Sequence, residues 1–453
     1  MRYVQEQIAV GQWQAGEKIL SIRAASSTLG VSKNTVAEAY DRLVARGKLE
    51  ARQGSGYYVP QQERRSAPPK ALSVAQAVDS VSLLREQLLR QYEVRVGEGR
   101  PPHAWAGRID FRSSSPGTSA QDADVHGYGN PWGYVKLREH LSQAMGERGI
   151  DAPADQILLT LGANHALDLI GRHLLEPGDV VLVDSPGYYP LFAKLHLLGV
   201  RMVGVRRLEN GPDVEDLHVQ AAKYRPKLFF TQSLAHNPTG GSLTLPVAHR
   251  VLQAAAQHNF KVVEEDPFAD ILPHSSPRLA ALDQLERVIY VGTFSKTLSA
   301  GLRVGYLAAN EALTDALCDL KMLTIASSAD YVERMLYDFI AAGQYLKHLR
   351  KLRARVQQAT VQSLDVLTSL GLEVFCRPQH GGFYLWVYLE DGDDERKLVE
   401  DASMRNIFIA PGAIFTPERE HERPAMRVNI AYATDPKFIA FMRERRKGRG
   451  ARH

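Results

Sequence analysis

The chain has 453 residues, 44% of them hydrophobic, and a formal net charge of only +4, so it can bury more than one core and any nucleic-acid surface must be local. Its two cysteines, Cys318 and Cys376, lie far apart without partners at metal-ligand spacing, which argues against a disulfide framework or a zinc site. No apolar run reaches membrane-spanning length and no basic segment with an apolar core begins the chain, so the sequence predicts a soluble protein of a reducing cytoplasm.

Residues 1–60 have the pattern of a small helical domain. After a short helix near the N-terminus, a second is predicted from Ser21, placed as its cap, to Gly30, which ends it. A third begins within residues 31–36 and runs to Arg46. Because this last helix follows a tight turn and opens with polar residues, its first side chains are suited to reach base edges in a major groove.

Residues 49–59 predict two short strands around a glycine-rich tip, a wing that can lie against a phosphate backbone or in a minor groove. Residues 1–60 contain 8 basic and 5 acidic side chains, a balance of +3 that is modest for a nucleic-acid binder. On charge alone, a small helical bundle used for protein contacts remains an alternative.

The sequence motifs favour a DNA-binding domain over a protein-contact bundle. Residues 1–60 resemble the winged helix-turn-helix of GntR-type transcription regulators at Ser21-Ile22-Arg23, Ser32-Lys33-Asn34-Thr35-Val36, Ala39-Tyr40, Leu43 and Gln53-Gly54-Ser55-Gly56. The resemblance implies that double-stranded operator DNA is contacted by Arg23, Lys33, Asn34, Thr35, Arg52, Gln53, Gly54 and Ser55. One departure is Leu20, where the family usually has a proline in Leu-Pro-Ser-Ile-Arg.

Residues 61–105 are predicted to be a linker with one amphipathic helix. Residues 61–70 are polar and charged and contain two adjacent prolines, which favours an extended chain. The apolar residues Val81, Leu84, Leu88 and Leu89 then have helical spacing. Two interpretations of this segment remain open: a helix that packs on the following domain, or a free tether.

From residue 106 to 440, strands and helices alternate, which predicts an α/β domain with a mostly parallel sheet wrapped by helices. Polar or glycine-containing loops follow the predicted strands at Gly162-Ala163-Asn164, residues 184–190, residues 236–240 and residues 264–268. Ligands bind at the carboxyl ends of strands in such sheets. A ligand cleft is therefore predicted along this edge.

Lys296 follows the apolar strand 288–291 and is predicted to lie in that cleft. Burial lowers the pKa of a lysine and leaves a free amine that can form an imine with an aldehyde, the linkage that holds pyridoxal phosphate. Thr293 and Arg303 can supply a hydroxyl and a guanidinium for the phosphate. The alternative is a surface Ser-Lys turn after a strand. Buried carboxylates at 264–266 need a partner, and a pyridinium nitrogen is one.

This region resembles class I/II aminotransferases of fold type I, the pyridoxal-phosphate-dependent transferase fold, in which a large domain with a mostly parallel sheet carries a smaller α/β domain. The matching motifs, in order and spacing, are Tyr128-Gly129-Asn130-Pro131, Gly162-Ala163-Asn164, Pro186-Gly187-Tyr188-Tyr189-Pro190, Asn237-Pro238-Thr239-Gly240, Ser295-Lys296 with Arg303, and Arg427-Val428-Asn429. Pyridoxal 5'-phosphate is thereby the implied cofactor.

The resemblance also implies a role for each matched residue. Lys296 is the catalytic lysine that forms the internal aldimine, and Tyr188 covers the cofactor ring. Asn237 hydrogen-bonds the phenolic oxygen through a cis Asn237-Pro238 bond, and Arg427 receives a substrate or effector carboxylate. The phosphate ligands are Ala163, Asn164, Thr293, Ser295 and Arg303. Tyr128 reaches the phosphate of a neighbouring subunit, which implies a homodimer.

A GntR-type head joined by a linker to such a body resembles the MocR-type regulators, in which the body senses the cofactor or an amino compound. The sequence departs from this family at two positions that would contact the cofactor ring. Glu265 stands where an aspartate is usual, so either Glu265 or Asp266 meets the ring nitrogen, and Phe268 stands where a tyrosine is usual. These changes make efficient transamination less secure than cofactor binding.

Three functions are therefore open: a cofactor-responsive transcription regulator, an aminotransferase with an incidental DNA-binding head, and a repressor whose body is only a dimerisation scaffold. The basic residues 441–453 predict a solvated, disordered tail rather than a DNA contact, and no metal site is expected, since His103, His126, His236 and His274 lack ligand spacing.

Overall fold

The computed structural model describes residues 3–4, 7, 12–14, 16–45, 48–52, 54–60, 80–89, 92–106, 127–378, 381–417 and 423–450. The sequence predictions for Gln53, His126 and linker residues 61–79 lie outside these ranges. The chain divides into two compact units, residues 1–73 and residues 74–453. Among the described helices, none combines the length and the apolar character that crossing a bilayer requires.

The first unit confirms the predicted helix, turn and wing. Its elements are α1 (Ile22–Leu29), α2 (Lys33–Ala45), β1 (Glu50–Arg52) and β2 (Gly56–Tyr58). The Ser21 hydroxyl accepts a hydrogen bond from the Ala24 amide and so caps α1, while Gly30 ends that helix with φ 67°. The strands β1 and β2 pair antiparallel, with Glu50 opposite Tyr58.

A small core holds this unit together. Val36, Tyr40 and Leu43 lie on one face of α2 and are buried in a cluster with Ala25 and Val59. The Tyr40 hydroxyl donates to the Leu20 carbonyl at 2.9 Å. Burial raises the pKa of Tyr40 to about 12, so this hydroxyl stays a donor at physiological pH.

The second unit is built on an eight-stranded sheet in the order β3-β10-β9-β8-β7-β4-β5-β6. Its strands are β3 (Ile157–Thr160), β4 (Val180–Ser185), β5 (Arg201–Leu208), β6 (Gly211–Pro212), β7 (Leu228–Thr231), β8 (Lys261–Asp266), β9 (Val288–Thr293) and β10 (Gly305–Ala308). Neighbours among β5, β4, β7, β8 and β9 are parallel, while β10 and β6 run antiparallel. The predicted mostly parallel sheet is confirmed.

Helices cover both faces of this sheet, so β3, β7, β9 and β10 are buried along their whole length, whereas β5 alternates between buried and exposed residues. The helices up to the end of the large sheet are α3 (Ser80–Leu89), α4 (Val135–Gly146), α5 (Ala163–Leu174), α6 (Tyr189–Leu197), α7 (Val214–Tyr224), α8 (Leu245–His258) and α9 (Leu279–Asp283). Those that follow are α10 (Glu311–Ile325), α11 (Asp330–Ala341) and α12 (Gln344–Ser369). Single 3-10 turns span His103–Trp105, Ala154–Gln156, Ala300–Leu302 and Gly412–Phe415.

A smaller four-stranded sheet, in the order β11-β12-β14-β13, follows α12. Its elements are β11 (Glu373–Val374), β12 (Tyr384–Tyr388), α13 (Glu395–Met404), β13 (Ala410–Pro411), β14 (Ala425–Asn429) and α14 (Pro436–Gly450). All its neighbouring strands are antiparallel. This smaller α/β part matches the predicted architecture.

Two predicted boundaries change. Residues 92–105, assigned to the linker, belong to the second unit: Val94 and Val96 are buried in its core, and the Gly97 amide donates to the Phe408 carbonyl at 2.8 Å. The prediction of a disordered tail from residue 441 is wrong as far as residue 450. Helix α14 continues through it because Phe441 is buried and Arg445 Nη2 lies 2.9 Å from Asp393 Oδ1.

Candidate functional site

A cavity of about 450 Å³ lies at the carboxyl ends of the central strands of the large sheet. The loops after β3, β4, β7, β8 and β9 all reach it, as the alternation of strands and helices predicted. The predicted cofactor and ligand residues that line it are Ala163, Asn164, Tyr188, Asn237, Glu265, Thr293, Ser295, Lys296, Arg303 and Arg427. Asp266 and Tyr128 are placed elsewhere.

Lys296 enters the cavity from the turn after β9. Its ammonium donates to the carbonyl of Gly99, which also accepts from the Tyr384 hydroxyl at 2.8 Å. Burial, reinforced by the nearby Arg427, lowers the pKa of Lys296 to about 8. The amine is therefore available as a nucleophile far more often than an ordinary lysine at neutral pH.

The last residues of β8 separate the two carboxylates that the sequence left as alternatives. Side chains alternate across a strand, so Glu265 faces the cavity while Asp266 points to the other face. There Asp266 Oδ2 lies 2.6 Å from Arg278 Nε and accepts from the Tyr290 hydroxyl at 2.9 Å, with both charged side chains fully buried. Asp266 is thus a structural residue, and its prediction as a cofactor ligand is not supported.

Glu265 is the only carboxyl that lines the cavity within the described part of the chain. Burial raises its pKa to about 8, an effect that a hydrogen bond from Gln232 partly opposes. The carboxyl is therefore mostly protonated at neutral pH. Phe268, which replaces the usual tyrosine, also lines the cavity and packs on Phe383 with ring centroids 5.5 Å apart.

An anion-binding end is formed where β3 turns into α5. Gly162 caps that helix with φ 77°, and a Cβ there would lie 2.6 Å from Arg303 Nη2, so the contact between this turn and the guanidinium requires glycine. Arg303 Nη2 donates to the Leu161 carbonyl at 2.8 Å. Amides at a helix start and a guanidinium both attract phosphate oxygens.

The same end carries two hydroxyls. The Thr293 hydroxyl accepts from the Ser295 amide at 3.2 Å and donates to the Val304 carbonyl at 3.2 Å, which fixes the turn that leads to Lys296. The Ser295 side chain faces the cavity. Ala163 and Asn164 begin α5 at the cavity wall. The predicted phosphate residues are therefore brought together.

Arg427, on β14, occupies the opposite wall and is buried to 1% exposure. Its Nη1 donates to Asn237 Oδ1 at 2.9 Å and its Nη2 to the Gly97 carbonyl at 2.7 Å. The guanidinium carbon lies 4.8 Å from the Tyr384 ring centre, a cation–π contact that helps to orient the guanidinium. The Asn237-Pro238 peptide bond is cis, as the resemblance implied.

Tyr128 is 90% exposed and does not line this cavity. Its predicted contact belongs to a neighbouring subunit and stays a prediction. The loop that carries Tyr128 is anchored by Lys321, whose buried ammonium donates to the carbonyls of Pro131 at 2.6 Å and Leu159 at 2.8 Å.

Several lining residues were missed from the sequence: Gln87, Gly99, Arg100 and Tyr384. The first three come from the segment read as a linker. The paired glycines of Gly97-Glu98-Gly99 carried a signal, since glycine often marks a close backbone approach. A Cβ on Gly97 would lie 2.3 Å from the Ala410 amide nitrogen.

Comparisons with known proteins agree with this geometry. A family model for aminotransferase class I and II matches residues 88–438, and one for bacterial regulatory proteins of the gntR family matches residues 1–59. The HTH-type transcriptional regulator YdcR of Escherichia coli is 28% identical over 95% of this chain and 93% of its own length. The chain belongs to the aminotransferase class I and II family and carries a gntR-family domain before it, the domain arrangement of MocR-like regulators.

Other relatives and solved structures support the same family. The regulator YdfD of Bacillus subtilis is 27% identical over 96% of this MocR-type chain and 92% of its own length. The kynurenine aminotransferase of Pyrococcus horikoshii, solved with PMP, superposes with a TM-score of 0.73 at 25% identity, covering 82% of this chain and 94% of its own. The α-aminoadipate aminotransferase LysN of Thermus thermophilus gives 0.70 at 25% identity, over 82% and 95%.

Proposed function

We propose that this MocR-type chain is a cytoplasmic, DNA-binding transcription regulator whose body binds pyridoxal 5'-phosphate covalently through Lys296 and senses the cofactor or an amino compound. One observation carries the proposal. A single cavity joins a lysine of lowered pKa, a protonated carboxyl and an anion-binding helix start, in a chain whose first unit is a winged helix.

The residues present fit this cofactor at each of its polar groups. Lys296 supplies the amine for its aldehyde, and the α5 start with Arg303 and Ser295 supplies donors for its phosphate. Glu265 holds one proton that it can share with a pyridine nitrogen, so the pair needs no net charge change on binding. When bound, the cofactor supplies an electrophilic carbon and an electron sink.

Sensing is favoured over turnover by the ring environment. Phe268 has no hydroxyl, so the donor that a tyrosine would offer to the cofactor's phenolic oxygen is absent at this position. Asn237 remains, with its carboxamide oxygen bound to Arg427 in this structure. Measurable conversion of an amino donor with a keto acid would favour the aminotransferase alternative instead.

The first test is covalent capture of the cofactor. The purified chain with pyridoxal phosphate is expected to show a visible absorption band. Borohydride should remove that band as it converts the linkage into a stable secondary amine, and Lys296→Ala is expected to show neither the band nor the stable adduct. Peptide mass spectrometry should locate the adduct on Lys296. Lys321 is an internal control, because burial also lowers its pKa to about 8 but it does not line the cavity. No band, or an adduct on Lys321, would overturn the proposal.

Capture should also depend on pH. With a pKa of about 8, roughly one Lys296 in ten is unprotonated at pH 7, whereas an ordinary lysine of pKa 10.5 has roughly one in three thousand. The rate of band formation is therefore expected to rise up to about pH 8 and to level off above it. A rate that keeps rising to pH 10 would show that the amine is not desolvated.

DNA binding is proposed to use the exposed start of α2 and the wing. Lys33, Asn34 and Thr35 are exposed there, and the Arg52 guanidinium lies 4.3 Å from the Tyr58 ring centre. Arg23, Gly54 and Ser55 complete the described part of the proposed surface. The basic charge of this surface would provide phosphate contacts.

Lys33→Gln is expected to weaken binding to duplex DNA and to reduce the slope of log affinity against log salt by about 1, because one phosphate contact is lost. Fluorescence anisotropy with a random-sequence duplex at several salt concentrations measures this. Arg42→Gln on the same helix is the matched control, since Arg42 already pairs with Glu38 at 2.6 Å. Equal slopes for all three proteins would remove α2 from the DNA surface.

We also propose that two copies form a dimer through the face around Tyr128. Tyr128 is 90% exposed and Tyr331 is 55% exposed, and a Cβ on Gly129 would lie 2.8 Å from the Asp330 Cβ, so the residues next to these two tyrosines lie against each other. Exposed apolar side chains that lie together can mark an interaction surface. A partner copy seated there would bring Tyr128 to its proposed position.

A further inference from the structure

Backbone carbonyls in residues 97–100 accept hydrogen bonds from the two cations that the proposed function assigns to cofactor and ligand. The Lys296 ammonium donates to the Gly99 carbonyl, and Arg427 Nη2 donates to the Gly97 carbonyl at 2.7 Å. A cofactor on Lys296 and a carboxylate on Arg427 must compete with these carbonyls. Occupation of the cavity therefore acts first on this segment.

Gly97 is anchored by packing, whereas residues 98–100 are held by polar contacts, among them the ion pairs of Glu98 with Arg95 at 2.7 Å and Arg100 at 2.9 Å. Gly97 is fixed, because its amide binds the Phe408 carbonyl at 2.8 Å and its Cα lies tightly against Ala410. Beyond it, the carbonyls of Glu98 and Arg100 accept from Asn429 Nδ2 at 2.8 and 3.0 Å. Each such hydrogen bond contributes only about 0.5–1.5 kcal/mol net, so ligand contacts of similar strength can exchange with them.

Gln87 connects this segment to α3. Its side-chain amide donates to Glu98 Oε1, and its own backbone carbonyl accepts from Arg100 Nη2 at 3.1 Å and Arg95 Nη2 at 2.6 Å. The Tyr189 hydroxyl donates to Gln87 Oε1 at 2.9 Å. Gln87 itself is 5% exposed. All of these bonds join α3 to residues that line or adjoin the cavity.

Apolar packing adds little at this end of α3. Leu88 is 58% exposed and Leu89 is 77% exposed, so the two leucines that follow Gln87 leave most of their surface in water. Docking of the described side chains therefore depends largely on polar contacts, those of Gln87 and the hydrogen bond that Glu86 accepts from the Tyr92 hydroxyl. Polar contacts of this kind are directional, and a small shift of residues 98–100 would break several at once.

We propose that α3 is the element through which occupation of the cavity reaches the linker, with Gln87 as its latch. The inference rests on the proposed function. When Lys296 reacts with the aldehyde, its nitrogen bonds to the aldehyde carbon, the aldehyde oxygen leaves as water, and an ammonium with three N–H donors becomes a nitrogen with at most one. Gly99 thereby loses its Lys296 donor and keeps the Tyr384 hydroxyl, so residues 98–100 are held less tightly and the contacts that dock α3 weaken. Residues 61–79, which directly precede α3, lead to the DNA-binding unit.

Hydrogen exchange of the full chain tests this inference. Peptides covering residues 80–89 are expected to exchange about fivefold faster or more when pyridoxal phosphate is bound through Lys296 without reduction, the lower end of usual coupling strengths. Unchanged exchange in protein that shows the visible band would overturn the latch. Absence of the band would instead count against the proposed function, so the two failures are distinguishable.

Gln87→Ala provides the second arm. Coupling is reciprocal, so an undocked α3 is expected to raise affinity for pyridoxal phosphate about fivefold and to exchange fast without ligand. A Gln87 that merely touched the cofactor would give weaker binding on truncation, which would contradict the proposal. Arg85→Ala, an exposed position of the same helix, is the control and should match the parent. Tyr189→Phe removes one donor to Gln87 and should shift exchange in the same direction, even if Gln87→Ala folds poorly.

Discussion

Asp266→Ala is expected to lower the free energy of unfolding by about 3–5 kcal/mol, because it leaves the Arg278 guanidinium buried without its carboxylate. The pair is closed from solvent on both sides, with Asp266 and Arg278 each 0% exposed. Arg278 Nη1 keeps its bonds to the carbonyls of His274 and Ser276, but Nε loses the Asp266 carboxylate, which accepts from it at 2.6 Å. Asp266→Asn, which keeps an oxygen acceptor, should cost less.

Glu265→Gln, one residue earlier, is expected to do the opposite. The pKa of Glu265 is raised to about 8 from 4.5, so below pH 4.5 the carboxyl is protonated in both the folded and the unfolded chain. Between pH 4.5 and 8 only the unfolded chain ionises, and the stability that the protonated group provides is lost as pH rises. Glutamine removes this loss, so the variant should be more stable at pH 7 by about 1–3 kcal/mol.

Urea unfolding at pH 7 and pH 4.5 measures both variants. The gain from Glu265→Gln should disappear at the lower pH, whereas the loss from Asp266→Ala rests on burial of Arg278 and should remain. The double variant Asp266→Leu/Arg278→Met is the control, because replacing both members of a buried pair with apolar groups is often nearly neutral. Similar losses at positions 265 and 266 would mean that the two carboxyls do not face opposite sides of β8.

Arg427→Lys is expected to weaken binding of amino acids to the cofactor-loaded chain about a hundredfold, because a lysine cannot replace two parallel N–H donors to a carboxylate. The stacked position beside Tyr384, 4.8 Å away, also favours a planar cation. Capture of pyridoxal phosphate on Lys296 should persist, since the phosphate end of the cavity is formed by other elements.

Spectral titrations with paired probes isolate the carboxylate. L-Leucine and L-alanine are compared with isoamylamine and ethylamine, which lack it. The parent should prefer the amino acids, and Arg427→Lys should lose that preference without losing the amines. Arg423→Lys is the matched control, because Arg423 is a neighbouring arginine that pairs with Glu373 at 2.7 Å instead of lining the cavity. An unchanged preference in Arg427→Lys would assign the carboxylate to another cation.

Local chemistry made much of this protein predictable from its sequence. The cap at Ser21, the αL end at Gly30 and the apolar face of α2 specify the helix-turn-helix by short-range rules. The alternation of strands and helices predicted the parallel sheet, and a strand end predicted the location of Lys296. These features depend on neighbours within a few residues or on one repeating pattern.

The choice between Glu265 and Asp266 needed the packed structure. Strand alternation sends two adjacent side chains to opposite faces, but only the surrounding elements determine which face holds the cavity and which holds Arg278. The structure of residues 441–450 also depended on tertiary contacts. Their run of charged residues predicted a solvated tail, but the buried Phe441 and the Arg445 contacts keep α14 helical as far as residue 450.

The sequence alone therefore determined the two kinds of domain, their order along the chain, and the residue types that meet at the sheet edge. The tertiary structure alone placed residues 97–100 across Lys296 and Arg427 and placed Gln87 beside Tyr189, which is 102 positions away in the chain. The physical reason is that motifs report short-range backbone and side-chain preferences, whereas a contact between distant segments depends on how whole elements pack.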